Sequence, residues 1–362
     1  MRIQPTESDG RCMEYPIYWL HTDFALALLG PSSRYDAMPS PDSFFKETLG
    51  LTSSRKVAAP VFSGDQRTRV LSLLSTALRE GRQAAVLGAI QKDPSLLLEE
   101  IPDPENQKGQ PIPFALACLR EGVQSGYMLA IAHGFNIDTP SAKDPRYGAL
   151  LYDAVIHGRT QDVFLLIGYG ATVANLEVSR DVLKHIQSGP GRDSLLQMAI
   201  GQWTGIQVAG KNPEPPKVVF ALLDAGLGAE VGEYAVNSLI RSGDWSNTSY
   251  RHFATQITGR LVKAGLTFDG DWNRPTHPML AALGGRNGFA VELLVAMGCV
   301  GESSADLFDR MKGNGLVEHI PGVQAQLMKR TISSVRSDAA DTASSINPAV
   351  PAPGGRRRAA AL

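Results

Sequence analysis

Glycines set behind short apolar helices constrain this chain more than any other feature. Between Gln110 and Asp138 it reads QPIPFALACLREGVQSGYMLAIAHGFNID. Phe114, Ala117 and Cys118 share one stripe of a helix over Phe114 to Glu121. Gly122 can end that helix because glycine takes a positive φ cheaply. Tyr127, Met128, Ile131 and Ala132 form the stripe of a second helix over Gln124 to His133, closed by Gly134. Helices of about 8–10 residues are unstable alone in water. One pair cannot hide both apolar faces, so it must stack on neighbours.

Those neighbours recur along the chain. Gly148 to Val173 repeats the plan with Ala154, Gly158, Leu165-Leu166 and Gly170. Thr276 to Val300 repeats it with Ala282, Gly288, Leu293-Leu294 and Gly298. Val219 to Glu230 and Gln256 to Asp269 read as second halves of two further units, closed by Gly226 and Gly265. Val70 to Leu97 is a worn first unit, with Ala77, Gly81, Val86 and a helix end at Lys92. The closing glycines Gly134, Gly170, Gly226, Gly265 and Gly298 are spaced 36, 56, 39 and 33 residues apart.

Residues 69 to 300 resemble the ankyrin repeat family, whose unit is about 33 residues of turn plus two helices. The likeness is strongest in LLIGYGATV, LLDAGLGAE and LLVAMGCVG, and in the Ala-to-Gly spacing of the first helix. The family's Thr-Pro-Leu-His opening has two echoes, Ile112-Pro113-Phe114-Ala115 and His277-Pro278-Met279-Leu280. Loss of that motif's hydrogen-bonding Thr and His predicts irregular turns. The resemblance implies an all-α, ankyrin-like helix-pair solenoid of about six degenerate repeats with disordered termini. Another helix-pair solenoid, or an α-helical domain with chance periodicity, is the alternative.

The expected organisation is a poorly ordered segment over 1–65, repeats over 66–300, a helical cap over 301–336 and a disordered tail over 337–362. Six prolines and two Ser-Ser pairs mark the first segment, and Phe24 to Leu29 is its one short apolar run. That run is too short, and too acidic upstream, for a signal peptide. Tyr15, Tyr18, Trp19 and Phe24 can dock as a cap or serve as an interaction segment. Asn175 to Ser188 reads as one additional helix. The tail is Ala, Ser, Pro and Gly, with Arg356-Arg357-Arg358 near its end.

Two units carry extra residues between their helices: GQWTGIQVAGKNPEPPK after Ile200, and RSGDWSNTSYRHFA after Ile240. In a regular stack both emerge from one edge. They would present Trp203, Trp245, Tyr250, Lys211 and Arg251 as binding elements. Alternatively, Trp203 and Trp245 fold back to cover the repeat edge.

A formal net charge of −1 argues against bulk attraction to nucleic acid or anionic membrane. No apolar run is long enough to span a bilayer. Cys12, Cys118 and Cys299 are scattered, so buried thiols in a reducing compartment are expected, without a disulfide framework. Of the 35 basic residues 24 are Arg, a hint of a GC-rich bacterial genome. Gly205 to Asn212, GIQVAGKN, fails as a phosphate-binding loop: Asn212 stands where Ser or Thr is needed, and Pro213 and Pro215 block the helix. Gly284-Gly285-Arg286-Asn287-Gly288 reads as a helix–helix turn. His133 and His157 precede helix-ending glycines, where an imidazole can bond the last carbonyls. No metal or cofactor spacing is found.

These readings converge on a non-enzymatic protein–protein interaction scaffold with a protein partner, no cofactor, no metal, no nucleic acid and no membrane span. It is expected in the cytoplasm, or as a bacterial effector secreted into a host cell without a cleavable signal. The resemblance implies a partner strip of turn tips and first-helix surfaces, with Arg146, Tyr147, Trp272 and Arg274 exposed on it beside Trp203, Trp245 and Tyr250. The competing reading is an enzyme with its active site in the 200–255 insertions, built from Lys211, Asp244, Arg251 and His252.

Overall fold

The structure is a computed structural model and describes residues 60–106, 109–176, 194–208, 215–228, 232–268, 272, 274, 276–299 and 304–345. The described chain is mostly helical. Cys12, the 1–59 aromatics, the additional helix read from Asn175, Lys211 with the glycine-rich loop around it, and Arg356 to Arg358 fall wholly or mostly outside those residues. The residues expected as one run of repeats over 66–300 divide between two compact units. One extends to Ala154 and resumes at Arg159; the other holds Val155 to Gly158 and the described residues from Ser194 onward.

In the first unit, α1 (Gly64–Arg79) and α2 (Gln83–Lys92) pack together and lead into a 3₁₀ turn (Pro94–Leu98). A two-residue antiparallel ladder follows, β1 (Glu100–Ile101) with β2 (Ile112–Pro113). Then come α3 (Phe114–Arg120), α4 (Gln124–Ala132), α5 (Ala149–Ile156) and α6 (Thr160–Gly168). α3 is buried from Phe114 to Leu119, so its short apolar sequence is a core element on every face. It ends as its sequence predicts. Gly122 adopts φ +71°, and Val123 N–H donates to Cys118 O at 2.8 Å. α4 approaches α3 closely at Gly126, where any Cβ would run into Cys118 Sγ.

The entry to this unit is fixed by Asp93, which is fully buried. Its Oδ2 accepts the N–H groups of Val61 and Phe62, both at 3.0 Å, and its Oδ1 accepts Ser95 Oγ–H at 2.6 Å. Burial raises the Asp93 carboxyl, but these hydrogen bonds outweigh it and hold the group below its ordinary value.

The second unit contains α7 (Leu195–Val208), α8 (Lys217–Asp224), α9 (Gly232–Ser242), α10 (Thr248–Lys263), α11 (Pro278–Gly284), α12 (Gly288–Ala296), α13 (Ser304–Gly313), a 3₁₀ turn (Val317–His319) and α14 (Ile320–Ser345). α9 packs on both α7 and α11, α8 on α10, and α14 on α12. α7 continues through Trp203 and Thr204 to Val208, and α10 starts at Thr248 and carries Tyr250 to Phe253. Much of the two inserted stretches, both in this unit, is therefore additional helical turns. α14 also runs past its expected end: Ser337 to Ser345, an Ala- and Ser-rich stretch without Pro or Gly, is helix rather than coil.

α11 is capped by the residue before it. His277 is buried, and its Nδ1 accepts the Met279 N–H at 3.1 Å, satisfying one of the donors left open at the helix start.

Candidate functional site

The structure withdraws most of the expected contact residues from the surface. Trp203 lies 7% exposed on α7 and stacks on Tyr250 of α10, with ring centroids 5.1 Å apart. Trp245, also 7% exposed, meets Tyr250 edge-on at 5.5 Å, and Phe253 meets Trp203 edge-on at 6.2 Å. Leu239 O accepts both Tyr250 Oη–H at 2.7 Å and Trp245 Nε1–H at 3.3 Å. Burial pushes the Tyr250 phenol up. Of the two fates open to the insertion tryptophans, inward packing is the observed one. Helical continuation accounts for Trp203: α7 and α10 each extend into the inserted residues and bring Trp203 against Tyr250, while Trp245 packs on Tyr250 from the link between α9 and α10.

The turn residues are corrected likewise. Tyr147 is buried, with Arg146 over its ring at 5.2 Å, and Arg146 pairs with Asp144 at 2.6 Å. Trp272 is buried near His277, at 6.4 Å between centroids. Arg274 remains accessible, its side chain 46% exposed, and pairs with Glu233 at 3.2 Å. An aromatic near a turn was a poor marker of exposure here, because these rings are taken up by neighbouring side chains: Tyr147 by Arg146 and Tyr152, and Trp272 by His277.

The residues of the competing enzyme reading are engaged locally. Asp244 accepts Ser246 N–H and Oγ–H, and His252 Nε2 lies 2.9 Å from Gln256 Nε2. Cys118 and Cys299 are buried thiols outside any disulfide, and burial raises Cys118 well above its usual value. Among the described residues no group of His, Cys, Asp and Glu could hold a metal ion. No described helix is long and apolar enough to cross a membrane.

A cleft of 670 Å³ in the second unit was not foreseen. It opens between the α9–α10 link, at Gly243 to Ser246, and the α11–α12 turn, with His319 as a further wall. Phe289 stands in it, 37% exposed. Arg251 of α10 lies over that ring at 3.9 Å, and His319 meets it edge-on at 4.8 Å. His319 Nδ1–H donates to Glu292 Oε1 at 2.7 Å. Gly288 makes this possible, since a Cβ there would collide with the His319 ring.

The turn itself departs from the spacing pattern. Gly288 falls in that pattern where Gly122 and Gly158 do, but Arg286 occupies the equivalent place, at φ +53°. Asn287 N–H donates to Ala282 O at 2.9 Å, as Val123 does to Cys118 O. Arg286 is the one described non-glycine residue with positive φ. Its only sequence signal is an Arg inside a glycine-rich turn, which does not by itself mark a positive φ. No family model, curated protein or solved structure matches the chain.

Proposed function

We propose that the chain is a non-enzymatic protein-interaction scaffold of ankyrin-like stacked helix pairs, and that the cleft beside Phe289 is its binding groove. The observation that carries the stacking is the spacing of side-chain bonds between pairs. Arg120 reaches Asp153 across 33 residues, Asp138 reaches Thr172 across 34, and Tyr127 reaches Asp162 across 35. In the second unit Asp224 and Arg260 are 36 apart, and Asn237 donates to Thr276 O across 39. Each bond links one position in a unit to its neighbour one repeat later, as a stacked array requires.

The cleft supports a groove because it combines an exposed ring, a cation over that ring and a strained turn within one concavity. Its place differs from the strip the resemblance implies. It lies at turns between first and second helices, not at the entry segments.

Selection of a phage-displayed random peptide library on the purified chain tests the reading. Enriched peptides are expected to slow hydrogen exchange in the α9–α10 link and the α11–α12 turn. Enrichment of none, or protection confined elsewhere, overturns it. The effector refinement adds delivery into a host cell. A translocation reporter fused to residues 1–60 that is not exported removes that part alone.

A further inference from the structure

We propose that the cleft recognises an acidic peptide, with a carboxylate held by Arg286 and a neighbouring apolar side chain seated on Phe289. This rests on the scaffold reading and names the chemistry of its partner. The first support is charge. The cleft lining includes two arginines, Arg241 and Arg286, and no carboxylate. Arg251 adds a third guanidinium at the Phe289 ring. Two acids flank the His319 wall: Glu292, bonded to His319 at 2.7 Å, and the exposed Glu318, 3.7 Å from His319 Nε2. Asp244 sits within the α9–α10 link but outside the lining, where it accepts from Ser246. The lining itself therefore offers an anionic guest guanidinium donors and no carboxylate, and a guanidinium is shaped to hold a carboxylate through two hydrogen bonds.

The second support is conformation. At the equivalent turns Gly81, Gly122 and Gly158 carry the positive φ; here it is Arg286, exposed at the cleft's edge. A residue with a Cβ is disfavoured in that region, and such strain concentrates at binding sites. The third is apolar surface. Leu280 and Ala281 of α11 lie with Phe289 in the same lining, so the cleft offers apolar side chains as well as guanidinium groups. That combination matches a peptide presenting an acid and an aliphatic residue. A lipid headgroup would leave Phe289 without an apolar occupant, and a nucleic acid, whose bases would stack on the ring, is disfavoured by the formal net charge of −1 and separated by the oligonucleotide competition below.

Fluorescence polarisation on the full chain tests this. The probe is a short fluorescein-labelled peptide of alternating glutamate and leucine, with glutamine–leucine and lysine–leucine counterparts. The glutamate peptide is expected to bind best and to weaken as salt is raised. Arg286→Gly and Arg286→Gln should each weaken it by about tenfold, and F289A should do so for both the glutamate and glutamine peptides. Arg286→Gly should fold as well as the parent, since glycine suits the turn. Equal binding of the glutamate and glutamine peptides, or unchanged binding by both Arg286 variants, overturns the acidic partner. In that case F289A-sensitive binding of the glutamine peptide leaves the scaffold reading standing. No binding by any peptide removes both. An oligonucleotide or an anionic vesicle that displaces the glutamate peptide also overturns the proposal.

Discussion

The first unit is pinned by buried charge and the second by stacked rings. In the first, Arg67 spans Asp93 at 3.3 Å and Glu99 at 2.6 Å, and Arg120 spans Asp103 at 3.1 Å and Asp153 at 3.0 Å. The Arg159 guanidinium caps the carbonyls of Leu119 and Arg120. In the second, Trp203, Tyr250, Trp245 and Phe253 interlock, while the ion pairs Arg260–Asp224 and Arg274–Glu233 sit at the surface, where such pairs contribute little. One helix-pair plan is thus locked in two ways. Charge locks fail when a partner is removed or the pH moves; ring locks fail when volume is lost.

The largest expected effect lies in the rings. Tyr250 is fully buried, so Y250A should destabilise the second unit by about 3–5 kcal/mol, with the loss of packing dominating. Y250F should cost only about 1 kcal/mol, the donation to Leu239 O. Urea unfolding followed by tryptophan fluorescence reads this directly, because Trp203, Trp245 and Trp272 all belong to this unit. A Y250A cost near that of Y250F would mean the rings are not the lock.

Nearly as large is the effect of unpairing charge in the first unit. R120M leaves Asp153 and Asp103 without their guanidinium, and about 3 kcal/mol should be lost in urea melts followed by circular dichroism. Adding D103N and D153N should recover much of it, since removing both partners avoids the stranded charge. No recovery would show that Arg120 acts through its packed stem.

How far these locks could be read from sequence differs between the units. The helix pairs were legible because each closing glycine has a local duty: Gly134, Gly170, Gly226, Gly265 and Gly298 all take positive φ, as read. The first pair was right nearly to the residue, Phe114–Arg120 and Gln124–Ala132. The contact residues were not legible. Trp203 and Trp245 stand among Gly, Ser, Thr and Asn, a composition that reads as loop. Only the neighbouring helix decides that two more turns of α7 form and bury a ring. The cleft was illegible for the same reason, since Arg251 and His319 meet Phe289 through tertiary packing. The division into two compact units left no sequence mark that was recognised.

A smaller effect separates charge locking from packing by pH. Asp93 has its folded value held below the ordinary carboxylate range. A depressed carboxylate adds stability above its unfolded pKa and loses it as pH falls through the folded value. Acid titration should therefore weaken the first unit from about pH 5 downward. D93N should cost about 1–3 kcal/mol at neutral pH and flatten the acid limb of the stability curve. An acid limb of the same depth in D93N would assign the acid loss to other groups.

The smallest pair of effects tests whether the turns are one design with one exception. Gly122 and Arg286 hold equivalent positions at φ +71° and +53°. G122A puts a Cβ into the left-handed region and should cost about 1 kcal/mol. R286G removes one from it and should gain about 0.5–1 kcal/mol, the relief of strain being partly offset by a looser unfolded chain. Paired thermal melts should move in opposite directions by similar amounts. A loss of stability in R286G would mean that the arginine's contacts repay its backbone, so that the position serves the fold. A gain would mean that an arginine is kept at some cost to the fold in a turn where glycine is the easier choice, and the reason for keeping it must then lie in what the cleft holds.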